Sequence, residues 1–367
     1  ELPLSHLNIQ HGGEIMTEKR RKVTMADIAR QSGVSLSTVS LVLNQRPGLP
    51  EETRRKVLGM ARDLGYQFRS SPPSPAQPVA LKTIGMLVKN SLGDSDPPSS
   101  NIFFSQVITG IEAGCRQENI SLLYSTLPVD GDNNSLEIPR LIEDEQVDGL
   151  LLVGSYVDEQ VNQALRQRGA PVVLVDSYCA SGEYDSVIID NVEGAYLAVQ
   201  HLIEHGHRHI AFLGSYPDSL ISFRYRREGY QQALADHGIA ERYYGDCAHN
   251  NREMVIDTAR RMLTENPQVT AIFGCNDVVA ILAMHGALQA GRRVCEDVSI
   301  IGFDDNAHAQ NTIPPLTTMR VDKVGMGRLG VQMLLDRAAN PEQGRVTTLM
   351  HTRLIERLSV RNLCSEA

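Results

Sequence analysis

From Thr83 onward, short β-rich runs alternate with helical segments, and this rhythm constrains the fold more than any other feature of the chain. Thr83–Val88, Ser121–Ser125, Leu150–Val153, Val172–Asp176, His209–Leu213, Ala271–Gly274 and Ser299–Phe303 read as strands. Gln106–Gln117, Val192–His205, Arg226–Asp236, Arg252–Leu263 and Val278–Gln289 read as helices between them. Strand-then-helix alternation means an α/β fold of parallel sheets with helices on both faces. A domain of that kind holds about 100–150 residues, so a stretch this long divides better into two lobes than one. Upstream lies a run with four prolines (Pro72, Pro73, Pro75, Pro78), which cannot donate backbone hydrogen bonds and favours extended geometry. It reads as a linker over residues 69–81, with a small module of three short helices, Met25–Ser32, Ser35–Asn44 and Glu51–Leu64, before it.

The charge is divided in the same way. The chain carries −9 overall, yet residues 17–70 carry +6, which leaves −15 for the remainder. A basic module joined to an acidic one points to a polyanion partner for the first and a separate task for the second. The first fifteen residues have neither a basic start nor an apolar core, so they are no secretory signal. Met16 reads as the start, with 1–15 as a disordered leader. No apolar run approaches the roughly 18 residues of a membrane span. The six cysteines form no C-x-x-C pair, in a chain too long to need staples, which fits reduced thiols in the cytoplasm.

In the basic module, Thr24 precedes the first helix with Asp27 three positions on, a capping-box spacing, and Met25, Ile28 and Ala29 form an inward stripe. Gly33 suits a tight turn and Ser35 a cap for the second helix. At about 100° per residue, Val39, Val42 and Leu43 share the buried face of that helix, while Leu36, Ser37, Ser40, Leu41 and Asn44 share the outer arc. Lys19 to Lys22 and Arg54 to Lys56 flank it, placed for phosphates. This describes a DNA-binding helix-turn-helix, with a small protein-interaction domain as the alternative.

The run Val-Thr-Met-Ala-Asp-Ile-Ala-Arg-Gln-Ser-Gly-Val-Ser-Leu-Ser-Thr-Val-Ser-Leu-Val-Leu-Asn (23–44), with Arg54-Arg55-Lys56 and Leu64-Gly65-Tyr66 after it, resembles the headpiece of the lactose-repressor (LacI/GalR) family. Asp148-Gly149-Leu150, Asp190-Asn191, Gly206-His207-Arg208, Glu228-Gly229-Tyr230, Asn276-Asp277, Gly302-Phe303-Asp304-Asp305 and Pro314-Pro315-Leu316 continue the likeness in order. The resemblance implies a homodimer on a near-palindromic double-stranded operator, controlled by a small-molecule effector (a sugar or related metabolite) between two lobes like those of periplasmic binding proteins. It implies a helix-turn-helix domain over 16–68 and a core over 82–360. Lobe 1 would comprise about 82–187 and 317–346, and lobe 2 about 188–316 and 347–360. Thr24, Ser35, Leu36, Ser37, Thr38, Ser40, Leu41, Asn44 and Arg54 are carried over as DNA-contacting positions. Phe104, Asp176, Ser222, Arg226, Cys247, Asn276 and Asp304 are carried over as effector-contacting positions, Phe104 as an apolar plate.

Three departures from the family pattern change what it implies. Leu41 stands where an arginine commonly reads guanine, so at that base pair the chain should prefer a thymine methyl or tolerate several bases. The prolines of the linker oppose the short hinge helix that usually enters the minor groove, so coupling to DNA must run through headpiece spacing or be weak. In the cleft, Ser177 replaces a common arginine and Cys247 a common stacking aromatic.

Other chemistry is set aside. His201, His205, His207 and His209 include a pair one helical turn apart, as zinc ligands can be, but Gly206-His207-Arg208 belongs to the family pattern and no metal is assigned. Cys247 has only His249 near it in sequence, and Asp304 and Asp305 should point opposite ways rather than act as a pair. Nucleotide-binding signatures are missing, so no cofactor is expected. A plain solute-binding protein and an enzyme on a doubly wound fold are the alternatives. The end of the chain, Leu354 to Ala367, lacks leucine heptads, which favours a dimer over a coiled-coil tetramer.

Overall fold

The computed structural model describes residues 24–43, 50–64, 81–91, 98, 101–130, 133–217 and 220–364, without the side chains of Ala26, Leu36, Ser37, Ser40, Leu41 and Glu51. The leader, Lys19 to Lys22, Asn44 and the proline-rich linker lie outside the described residues. The chain divides into two units, one within 1–77 and one within 78–367.

In the first unit, α1 (Met25–Ser32), α2 (Leu36–Leu43) and α3 (Glu51–Asp63) pack around Ile28, Val39, Val42, Val57 and Ala61. The capping box forms: Asp27 N donates to Thr24 Oγ1 (3.4 Å) and Thr24 N to Asp27 Oδ2 (3.0 Å). Gly33 ends α1 at φ +68°, a left-handed conformation that glycine adopts without strain, and turns the chain into α2. Ser35 Oγ accepts from Thr38 N (3.1 Å), which satisfies an orphan amide at the start of α2. The inward stripe needs one correction: Met25 is 38% exposed, because it sits at the first position of α1, before the helix turns toward the core.

The second unit contains two six-stranded sheets. The first is built from β1 (Thr83–Ser91), β2 (Ser121–Val129), β3 (Gly149–Val153), β5 (Val172–Val175), β7 (Asp185–Ile189) and β13 (Thr347–Met350). Its order is β13-β7-β5-β3-β1-β2, all parallel. The helices α4 (Ile102–Gln117), α5 (Arg140–Glu143), α6 (Glu159–Arg168) and α11 (Lys323–Ala339) belong to this lobe, and β4 (Tyr156–Val157) pairs with β6 (Tyr178–Cys179) beside it. The second sheet has β8 (Ile210–Leu213), β9 (Tyr243–Gly245), β10 (Ala271–Gly274), β11 (Ser299–Asp304), β12 (Thr317–Arg320) and β14 (Arg353–Ile355). Its order is β14-β12-β11-β10-β8-β9, parallel except for β14 against β12. Around it lie α7 (Asn191–Glu204), α8 (Ile221–Asp236), α9 (Arg252–Glu265) and α10 (Asp277–Gln289). Every residue of β3, β5, β8, β10 and β11 is buried, as expected of parallel strands covered on both faces.

The chain crosses between lobes after Ile189, after Arg320 and after Met350. The expected division is therefore corrected at two places. Thr317–Arg320 pairs with β11 and belongs to lobe 2, and Thr347–Met350 pairs with β7 and belongs to lobe 1. Hydrogen-bond ladders decide which sheet a strand joins, and the connection changes lobe only after each strand ends. Among the described residues no helix is long and apolar enough to cross a membrane.

Candidate functional site

The headpiece places Thr24, Ser35 and Thr38 at helix starts, where their side chains are already engaged in caps: Thr38 Oγ1 lies 2.8 Å from Ser35 Oγ. Arg54 lies in the first turn of α3, half-buried, with exposed Arg55 and Lys56 beside it. The backbone of α2 carries Leu36, Ser37, Ser40 and Leu41 at the expected helical spacing. Their side chains, and all of Asn44, are outside the described residues. Val39 and Val42 are buried and Leu43 packs against them, which sets these three on the headpiece core.

The second candidate site lies between the lobes, at the carboxyl ends of the parallel strands, where open α/β sheets bind ligands. Arg226 of α8 is its centre, 3% exposed. Its Nε donates to Asn191 Oδ1 (2.8 Å), its Nη1 donates to the carbonyl of Cys275 (2.7 Å), and its Nη2 lies 3.2 Å from Asp304 Oδ1. The guanidinium also stacks 3.8 Å above the ring of Phe303, which fixes its plane. Asp304 ends β11 at φ +113° and Asp305 follows at φ +50°, both in conformations that L-residues rarely adopt. The turn is held by Asp305, which is paired with Arg320 and Arg357 (2.6 Å each), and by Lys323 Nζ donating to the carbonyl of Asp304. Adjacent carboxylates thus separate, one toward the cleft and one into the scaffold.

From lobe 1, Asp176 comes off β5 at φ +48°. Burial pushes its carboxyl up to about 7, with Arg226 opposing the shift and the neighbouring Asp304 adding to it. The same burial raises Asp304, again opposed by Arg226. Asp176 Oδ1 and Asp304 Oδ1 are both buried without an aligned hydrogen bond, although they share one guanidinium as neighbour. Phe104, edge-on to Phe103 at 5.4 Å, lies directly against Gly154; a Cβ there would come within 2.3 Å of the Phe104 ring. Tyr178 links the lobes: its hydroxyl accepts from Asn191 Nδ2 (3.3 Å) and its ring meets Tyr225 at 6.2 Å.

Asn276 Oδ1 accepts from Val279 N (2.9 Å) and caps α10, and Ser222 is half-buried on the first turn of α8. Cys247 is fully buried in the core of lobe 2, with Thr258 beside its thiol, and burial raises the thiol to about 11. A neutral thiol sealed in that interior presents no surface to the cleft. Ser177 is equally interior: its hydroxyl donates to the carbonyls of Leu152 (2.9 Å) and Val175 (3.1 Å). Sequence reasoning weighed His249 only as a neighbour of Cys247; the structure places it half-buried against Phe223 at 4.7 Å between ring centroids, and it is lowered to about 4 by burial and by Lys89 across the lobes. Sequence reasoning missed Lys89, Tyr178 and Tyr225, which carry no local motif. A separate polar hollow of about 470 Å³ at the crossings is lined by Asp305, Arg320, Lys323 and His351, and holds none of the expected effector residues.

Residues 24–68 match the profile described as "Bacterial regulatory proteins, lacI family", and residues 199–360 that of a periplasmic binding protein-like domain. Over 353 residues the chain is 31% identical to the HTH-type transcriptional repressor PurR of Photobacterium profundum, covering 93% of this chain and 99% of that one. The chain belongs to the LacI family. Its fold matches the transcriptional regulator CelR in complex with cellobiose (TM-score 0.65, 26% identity, 92% of this chain and 99% of that one). It also matches the lac repressor dimer bound to operator and the anti-inducer ONPF (TM-score 0.63, 26% identity, 93% and 100%). This LacI-family chain is a transcriptional regulator and not an enzyme.

The LacI-family cleft makes a pH prediction. A carboxyl raised from its ordinary 3.8 to about 7 in the folded state favours the folded protein while protonated. That contribution is complete below about pH 4 and is lost as pH rises through 7. Asp277, raised to about 8 by burial and by Asp304, acts in the same direction. Asp176→Asn should therefore leave the thermal midpoint of the unliganded core unchanged near pH 4 and raise it by several degrees at pH 8. Asparagine tolerates the left-handed backbone at this position. Equal midpoints for the two proteins at pH 8, measured by calorimetry, would show that Asp176 is not buried as a strained anion.

Proposed function

We propose that the protein is a cytoplasmic repressor that binds a near-palindromic operator as a homodimer and answers a small metabolite bound between its lobes. The observation that carries this reading is the pairing of a folded helix-turn-helix unit with a cleft in which two buried carboxylate oxygens lack aligned donors. A ligand offering two hydroxyl or amino donors would satisfy both oxygens, and the Phe104 ring supplies an apolar wall. Sugars have this pattern, and so do other polyhydroxylated or aminated metabolites. The cellobiose in the CelR complex supports the sugar class for that relative, and by likeness for this cleft. Phe104, Asp176, Ser222, Arg226, Asn276 and Asp304 are the proposed contacts. Cys247 and Ser177, buried within their own lobes, are not among them.

On DNA, α2 would enter the major groove, with Leu36, Ser37 and Leu41 at base edges and Thr24, Ser35, Thr38, Ser40, Asn44 and Arg54 positioning the phosphates. Selection of binding sites from random duplexes by full-length protein at two salt concentrations tests the reading. Two symmetric half-sites should emerge. Unselective, steeply salt-sensitive binding would leave only the general attraction of a basic module for phosphates. At the base pair facing Leu41, guanine should hold no advantage, and Leu41→Arg should create a preference for it of about 1–3 kcal/mol, the value of a bidentate contact. A guanine already dominant with the native leucine would overturn the assignment of that position.

A further inference from the structure

The helix α7 ends in a cluster that neither the cleft nor the headpiece explains. His201 lies on the last turn of α7 and His205 is its C-cap, one helical turn later on the same face. Glu356 follows β14 and approaches them from the far end of the chain. One ligand atom from each of the three lies within 4.8 Å of the other two. Three features separate this group from a chance meeting of polar side chains.

First, His201 is only 6% exposed, yet its Nε2 is buried with no hydrogen-bond partner. An orphaned imidazole nitrogen in a lobe interior is unfavourable unless something occupies it. Second, His205 Nδ1 lies 2.8 Å from the carbonyl of His201. A donated Nδ1–H fixes the tautomer and leaves Nε2 bare, the arrangement found in imidazoles that ligate metals through that atom. Third, the other two nearby histidines are committed elsewhere. His207 Nδ1 meets Thr270 Oγ1 (2.9 Å) and its Nε2 meets the carbonyl of Arg361 (3.2 Å), while His209 Nδ1 meets Tyr243 Oη (3.0 Å). His201 and His205 are thus singled out.

We propose that His201, His205 and Glu356 form a binding site for a divalent transition-metal ion, with Zn²⁺ the best-suited occupant. Two imidazoles and one carboxylate make a three-ligand site that water would complete. Bond lengths of about 2.0–2.1 Å place tetrahedral ligand atoms roughly 3.3 Å apart, so the ligands must draw in from their present spacing. Glu356 is exposed and can make that movement. A bound ion would tie the end of α7 to the edge strand β14, whose ladder with β12 runs only from Arg353 to Ile355.

The test uses tag-free, full-length protein stripped with chelator, titrated with Zn²⁺ against a chromophoric competitor, and with Co²⁺ for its visible spectrum. One equivalent per chain should bind and should raise the thermal midpoint of the core. His205→Asn and Glu356→Gln should each weaken binding by more than the roughly tenfold to hundredfold that loss of an outer-shell partner costs, and remove the Co²⁺ bands. Asparagine can still cap α7, and Glu356 is on the surface, so both variants should fold, with circular dichroism as the check. His351→Asn is the control, because Asp190, Glu193 and His351 form a second, exposed cluster. Three results would overturn the proposal: no binding to the native chain at millimolar Zn²⁺, unchanged affinity in both ligand variants, or loss confined to His351→Asn.

Discussion

Replacing Arg226 with alanine is expected to destabilise the two-lobed core by about 3–5 kcal/mol and to abolish its response to effector. Three things are lost together: the donor to Asn191, the donor to the Cys275 carbonyl and the positive partner of Asp304. The carboxylates of Asp304 and Asp176 then share a buried space with no guanidinium between them. The larger part of the effect comes from that uncompensated charge and the smaller part from the missing contacts, and a double variant separates the two. Arg226→Ala with Asp304→Asn should recover a substantial fraction of the loss in urea unfolding, because the stranded anion is gone. Effector binding should not recover, since the guanidinium and the Asp304 carboxylate would both be absent from the cleft. If the double variant is no more stable than Arg226→Ala alone, the ion pair is not what holds the site.

How far the sequence could be read depended on whether a structural signal was local. The buried strands were legible, because Gly149–Val153 or Ala271–Gly274 must be continuously apolar when helices cover both faces of a parallel sheet. The capping box at Thr24 and the turn at Gly33 were legible for the same reason, since each lies within a few residues of the helix end it serves. α11 was missed: Gly325, Gly327 and Gly330 depress its helical pattern, and it forms because α4 and the lobe 1 sheet hold it. β13 and β14 are three or four residues long and half-exposed, so neither shows period or burial in sequence.

The cleft divides along the same line. Asp176, Arg226 and Asp304 could be named because motifs of the family resemblance carry or flank them, and the fold brings these three together. The charge of Lys89 in lobe 1 is felt by His249 in lobe 2 only because the fold brings the lobes together, a relation that no spacing records. Cys247 illustrates the opposite error of inference. The family resemblance implied a ligand contact at its position, but the small thiol there lies in the core of its lobe. Glu356 stands far along the chain from His205, so the His201/His205 spacing could be noticed from sequence while its third partner could not.

Ile28→Ala should eliminate operator binding while leaving effector binding intact. The headpiece core consists of Ile28, Val39, Val42, Val57 and Ala61, and Ile28 is the largest of them and fully buried. Truncating a buried isoleucine to alanine costs about 2–5 kcal/mol. A module of some 45 residues has only roughly 2–7 kcal/mol of stability in total, at 0.05–0.15 kcal/mol per residue. The variant headpiece is therefore mostly unfolded, and α2 no longer presents a fixed face to a major groove. Operator affinity, followed by fluorescence anisotropy on a selected duplex, should fall by at least a hundredfold. The core has its own separate hydrophobic clusters, so calorimetric effector binding on the same preparation should be unchanged. Ile28→Val, which removes a single methyl group at a cost of about 0.5–1.5 kcal/mol, should retain most of the operator affinity. Parallel loss of both activities in Ile28→Ala would mean that the two units fold as one, and near-native operator affinity would mean that DNA contacts, rather than this small core, supply the headpiece with its structure.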